Sequence, residues 1–266
     1  MSYYAKVKDV MRRLLKEGPD AVSPFELHSI FSAEKPTKNP AKTLTKTFND
    51  LVIKEKILKH HPGVSRFTLQ QIEPHLHDEL ERRIRASMDL IKLNREQAVE
   101  KTTQRLRGWM SSLSPVPEIR ENQTDDLPET AKKIIEPFRK LPYEERRLNI
   151  DQNAKLVAGL NQIVAYDAGA IGAYWHSHWR QLNYNYREDH KELDKKFFLV
   201  KDSQAMQQGL IKKAGHEYIE DLEEQPAQAP MCRCYFEYVY RLNKVPEECL
   251  TEKGKEQKSV IRLSLG

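Results

Sequence analysis

Apolar residues recur at helical spacing through the first third of the chain, broken at Gly18, Pro36 and Pro40. Val7, Val10, Met11, Leu14 and Leu15 share one face of a helix expected over residues 4–16, with Gly18 as its stop. Ser23-Pro24-Phe25-Glu26 combines a capping Ser, Pro in the first turn and Glu three residues on, and so opens a second helix. That helix carries Phe25, Leu27, Ile30 and Phe31 and ends before Pro36. A third opens at Asn39-Pro40 and runs through Leu44, Phe48, Leu51 and Val52. Residues 56–60 and 65–69 read as β segments joined by the turn His61-Pro62-Gly63. From Pro74 to about Met110 a narrow stripe of Leu76, Leu80, Ile84, Met88, Leu90, Ile91 and Leu106 predicts one long, heavily charged helix. Residues 113–129, with Pro115, Pro117 and Pro128, read as a linker. Short helices follow over 130–139 and 142–148, then a better one over 151–168 with Asp151 as its cap and Gly169 and Gly172 closing it. Tyr174–Trp179 is an aromatic strand whose period of two puts Trp175, Ser177 and Trp179 opposite Tyr174, His176 and His178.

Three helices followed by a hairpin is the order of a winged helix-turn-helix, which residues 1–72 resemble in layout. The third helix would be the recognition element, with Lys38, Lys42, Thr43, Lys46 and Asn49 as its polar face and Lys59 and Arg66 on the wing. Lys and Arg suit phosphates, whereas Asn and Thr can also touch base edges. The expected ligand is double-stranded DNA, held mainly by its backbone; docking to protein is the other use of such a module.

Charge supports this only locally. The 266 residues carry a formal +5, and residues 1–70 hold 13 Lys and Arg against 7 Asp and Glu. A local positive excess of this kind fits a polyanionic partner. No apolar run approaches the roughly 20 residues that span a bilayer, and the first residues lack the layout of a secretory signal. No membrane partner is expected. Three cysteines, two of them one residue apart, make no disulfide framework, so the expectation is a protein kept in a reducing interior.

The chemistry concentrates between residues 174 and 235. Asp151-Gln152, Asn161, Trp175, Arg187, His190, Asp194, Phe198, Pro230, Cys232, Arg233 and Cys234 follow one another in an order that resembles the phage Mu F-like head morphogenesis (minor head protein) family. The resemblance covers roughly residues 130–240. Two positions depart from it: Lys195 stands where Gly usually follows the Asp, and Met231 where Asn commonly precedes Cys-Arg-Cys. The first departure matters because Gly is the residue that tolerates positive φ.

The resemblance implies a minor virion component inside the head near the portal vertex. Its partners would be the portal protein, other virion proteins and packaged DNA. It would serve head assembly and genome packaging or delivery, without an established reaction. The host cytoplasm would hold it during assembly. A phage DNA-binding regulator or delivered effector is one alternative, and a metal-dependent nuclease using His176, His178 and His190 is another.

Within this region Arg187, His190, Asp194, Cys232, Arg233 and Cys234 are expected to lock a sheet by polar and thiol contacts, with no catalytic residue. Cys232 and Cys234 would share a strand face, and His190, with His178 as a further candidate, would complete a thiolate/imidazole set suited to zinc. Packing of the cysteines as small apolar groups is the competing expectation, and the preferred one, so no cofactor is expected.

The predicted architecture is α+β and predominantly helical. It comprises a winged-helix-like module (1–72), a long connecting helix (73–112), a linker (113–129), a small mixed α/β Mu F-like domain (130–246) and a loose tail (247–266).

Overall fold

A computed structural model describes residues 2–18, 21–31, 39–116, 119 and 127–264. Lys38 and most of the expected linker lie outside them. The protein is predominantly helical with one small antiparallel sheet. Among the described residues no helix is long and apolar enough to cross a membrane.

The chain forms two compact units, Met1–Pro40 with Ala86–Leu148, and Ala41–Arg85 with Asn149–Gly266. The boundary therefore falls inside the expected N-terminal module. The first unit contains α1 (Tyr3–Glu17) and α2 (Pro24–Phe31). Ser2 Oγ accepts from Ala5 N–H, and Gly18, at φ 99°, donates its N–H to Leu14 O, so both ends of α1 are capped. The five apolar residues of the predicted face are the ones α1 buries.

Ser23 Oγ caps α2 by accepting from Glu26 N–H at 3.1 Å. Leu27 is buried as expected, but Phe25 is 85% exposed, because it sits in the first turn on the outer side. The core adds Ala98, Val99 and Leu106 of α4 (Arg66–Ser111), and Leu127, Ala131 and Ile134 of α5 (Leu127–Ile134). Arg95 reaches the buried carboxylate of Glu145 at 2.6 Å, which supplies the partner that a buried charge requires.

The second unit opens with α3 (Pro40–Phe48), prolonged by a wider π-helical turn over Asn49–Ile53. Here the sequence expectation fails: Lys56–His60 is a 3-10 turn and residues 66–69 begin α4, so the wing hairpin is not formed. The reason is local. Ile57 alone of its segment is fully buried, without strand alternation, and Ser65 Oγ accepts from Thr68 N–H at 3.1 Å, which starts a helix.

α4 runs through Pro74 and contributes to both units, and so does α6 (Glu136–Asp167), which runs through Pro142. The breaks expected at residues 140–141 and 149–150 are absent, and Asp151 lies mid-helix rather than at a cap. Leu44, Phe48, Val52, Leu69, Leu76, Leu156 and Leu160 fill the helical core of this unit.

The sheet has order β2-β1-β3, with β1 Gly172–His176, β2 Phe197–Leu199 and β3 Tyr235–Val239, all antiparallel. Ala173 and Trp175 face one cluster with Phe198 and Tyr238, while Tyr174 packs against the other with Phe197, Leu199 and Val239. The alternation predicted for Trp175 and Tyr174 is present, but the strand ends at His176. Gly172 pairs with Leu199 so closely that a Cβ would collide with the Phe198 carbonyl oxygen and the Phe197 ring.

The C-terminal residues are not a loose tail. Cys249 and Leu250 are buried, Ile211 and Leu250 form a β-bridge, and Thr251 Oγ1 accepts from Gly254 N–H to cap α8 (Glu252–Ser264).

Candidate functional site

The site lies on the Trp175 side of the sheet, where three chain segments converge. The first is α7, a single helical turn over Glu188–Glu192 that starts after Arg187 and presents His190 inward. His190 is 4% exposed. Its Nδ1 lies 3.4 Å from Cys232 Sγ and 3.5 Å from Cys234 Sγ. Its Nε2 lies 3.3 Å from Glu224 Oε2, which also accepts from Arg187 Nη1 at 3.3 Å. Glu224 thus fixes the ring: with Nε2–H directed at the carboxylate, the Nδ1 lone pair faces both sulfurs. The Trp175 ring meets His190 edge-on, with centroids 5.3 Å apart.

The second segment, the turn after α7, is held by Asp194. Its Oδ1 accepts from Ser177 N–H at 2.8 Å and its Oδ2 from Trp179 Nε1–H at 3.1 Å, tying the end of β1 to the approach to β2. Burial opposes ionisation of this carboxyl, but those two donors together hold its pKa below the ordinary value.

The third segment carries the thiols. Arg233 points away from them: its N–H donates to Tyr184 Oη at 3.1 Å, its Nη1 to Gln181 Oε1, and its guanidinium lies over the Tyr184 ring. Met231 N–H donates to Asp151 Oδ1 at 2.6 Å, so the carboxylate expected to cap a helix instead anchors the Cys-Arg-Cys loop.

Lys195 and Met231 both adopt left-handed backbone, at φ 66° and 62°, so the turn after Asp194 forms with a Lys at positive φ.

The two sulfurs act as a pair. The hydrogen bond from Cys234 is the main influence driving the Cys232 pKa down, against burial and aided by the Cys234 and Ala227 N–H groups; the same bond and burial drive Cys234 up. Trp175 Nε1 and Ser177 Oγ are buried and make no hydrogen bond of good geometry, yet both lie near enough to Cys234 to favour its thiolate.

His190, Cys232 and Cys234 offer ligand atoms all within 4.8 Å of one another, and Asp189, His190 and Glu224 form a second such group. His178 does not join them; it packs against Tyr235, as does His176, which also pairs with Glu237 at 3.1 Å. The three histidines of the nuclease reading are therefore not gathered at one place. Cys249, buried in the other cluster, is also apart.

Of the seven residues proposed for DNA, Lys42, Thr43, Lys46 and Asn49 are exposed on α3 and its π-helical extension. Lys59 is exposed on the 3-10 turn, and Arg66 pairs with Glu55 at 2.8 Å. Lys38 lies outside the described residues.

Sequence reasoning missed Glu224, Tyr184 and His61. Glu224 sits in an acidic run with nothing to single it out. His61, read as a turn residue, is 1% exposed. Asn161 Nδ2 donates to Val157 O, so its Oδ1 accepts from His61 Nε2–H at 2.8 Å, and His61 Nδ1 accepts from Tyr240 Oη–H. Burial is the main reason the His61 pKa falls to about 4.

Compared with known proteins, the chain matches no family model, no curated protein and no solved structure.

Proposed function

We propose that this chain is a minor head protein of a tailed phage, carried inside the head near the portal vertex, and that residues 130–246 are its Mu F-like portion. The observation that supports this reading is convergence. Arg187, His190, Asp194, Cys232 and Cys234, separated by up to 47 positions, meet around one end of a three-stranded sheet. Asp151, Tyr184, Asp194 and Glu224 each tie separate chain segments together there, which suits a fastening better than a reaction centre.

In this reading the portal protein and other virion proteins are the partners, and the exposed lysines of α3 touch packaged DNA during packaging or delivery. The wing has no part in that contact; the α3 face carries it.

The test is physical location. Particles purified through a density gradient should contain the chain in few copies, protected from protease until the head is opened, and cross-linkable to the portal protein. A chain absent from mature particles and free in infected cells sinks the proposal.

A further inference from the structure

We infer that Cys232, Cys234 and His190 Nδ1 form a zinc site, with Glu224 orienting the imidazole from behind. The inference does not depend on the virion role. It rests first on distance. In a tetrahedral zinc site with Zn–S of about 2.3 Å and Zn–N of about 2.0–2.1 Å, sulfur and nitrogen ligands stand ~3.6 Å apart. The chain already holds Nδ1 at 3.4 and 3.5 Å from the two sulfurs, close to that spacing, and all three ligand atoms lie within 4.8 Å of one another.

The surroundings point the same way. A metal-bound imidazole usually donates its other N–H to a carboxylate, which fixes the tautomer and raises ligand basicity. Glu224 occupies that position and is itself held by Arg187. Trp175 Nε1 and Ser177 Oγ are buried near Cys234 without partners of good geometry, so both can donate to a metal-bound sulfur, a stronger acceptor than a thiol.

Three protein ligands leave a fourth place for water or an incoming donor. Cys234 also borders a cavity of about 680 Å³, shared with Arg233, Phe236, Gln225 and Asn161. Binding releases the thiol protons to solvent, and it ties α7 to the loop before β3.

Full-length protein purified with reductant and without chelator is expected to hold one zinc per chain through dialysis. Exchange for Co(II) should give thiolate-to-cobalt charge-transfer absorption and the intense visible bands of tetrahedral cobalt. Cys232→Ser and Cys234→Ser should each abolish both signals, and Glu224→Gln should weaken affinity by about 10–100-fold. Cys249→Ser should leave metal content unchanged.

The wild-type chain supplies a readout that does not depend on the folding of the serine variants. Two thiols should resist alkylation until a chelator is added, and the melting temperature should then fall. Zinc well below one equivalent, a cobalt spectrum without thiolate bands, metal retained after both cysteines are replaced, or a Cys232–Cys234 disulfide in metal-free protein would each overturn the inference.

Discussion

Lys195 and Met231 show how much a single backbone dihedral can matter. L-residues pay a steric penalty of roughly 1–2 kcal/mol in the left-handed region, from which Gly is exempt. Lys195 sits there because its N–H donates to Trp175 O at 2.7 Å while Asp194 grips the end of β1. Lys195→Gly is therefore expected to stabilise the protein by about 0.5–1 kcal/mol, after the extra chain entropy of Gly is set against the relieved strain. Urea unfolding with an unchanged slope would measure it, and a loss of stability would mean the turn is relaxed with Lys.

His61 carries the opposite kind of strain, electrostatic rather than steric. Its pKa is lowered from 6.5 to about 4 in the fold, so below pH 6.5 the unfolded chain binds a proton that the native chain refuses. Its stabilising contribution is complete above pH 6.5 and is lost as pH falls towards 4, on the order of 3 kcal/mol in all. Unfolding free energies at pH 7 and pH 5 should differ in that direction, and His61→Gln should flatten the difference.

The elements were legible wherever a single apolar face decided them. The face of α1, the Ser23 cap of α2, the start of α3 and the alternation of Trp175 with Tyr174 were all present in the sequence. What was not legible was continuity. The breaks expected before residues 142 and 151 are not made by α6, since the backbone donor that Pro142 lacks is outweighed by the packing of Leu141 in one unit and Leu156, Leu160 and Val164 in the other. The wing failed for the converse reason: the Ser65 cap competed with a short, poorly alternating β signal and won.

The candidate site was half legible. Residue types named His190 and the two cysteines, but Glu224, which sets the tautomer, is defined only by the fold. Gly172 was read as a helix stop and is instead demanded by the sheet. Gly172→Ala would drive a methyl into the Phe198 carbonyl and the Phe197 ring, at β1's pairing with β2. The expected loss is about 1–3 kcal/mol by overpacking, read as a lower denaturation midpoint; an unaltered midpoint would show that the strands can separate without penalty.

For the whole molecule, the question is where the positive charge can act. The chain's formal excess is only +5, so a general attraction to nucleic acid is weak and any DNA contact must be local. Around α3 some of the basic groups are already paired: Lys54 and Lys56 lie near Asp50, at 2.8 and 3.8 Å, and Arg66 is held by Glu55. Lys42 and Lys46 stand exposed on the face opposite buried Leu44 and Phe48. If that face holds phosphates, each contact releases counterions, and the logarithm of affinity falls against the logarithm of salt with a slope of about −0.9 per contact. Replacing Lys42 and Lys46 together by Ala should therefore make the slope shallower by about 1.8 and weaken binding to all sequences alike. Arg66→Ala should do much less, because its guanidinium is engaged with Glu55. Filter binding of the full-length chain across a salt series distinguishes the cases. Affinity indifferent to salt, or an equal loss from all three substitutions, would show that the lysines of α3 do not hold DNA.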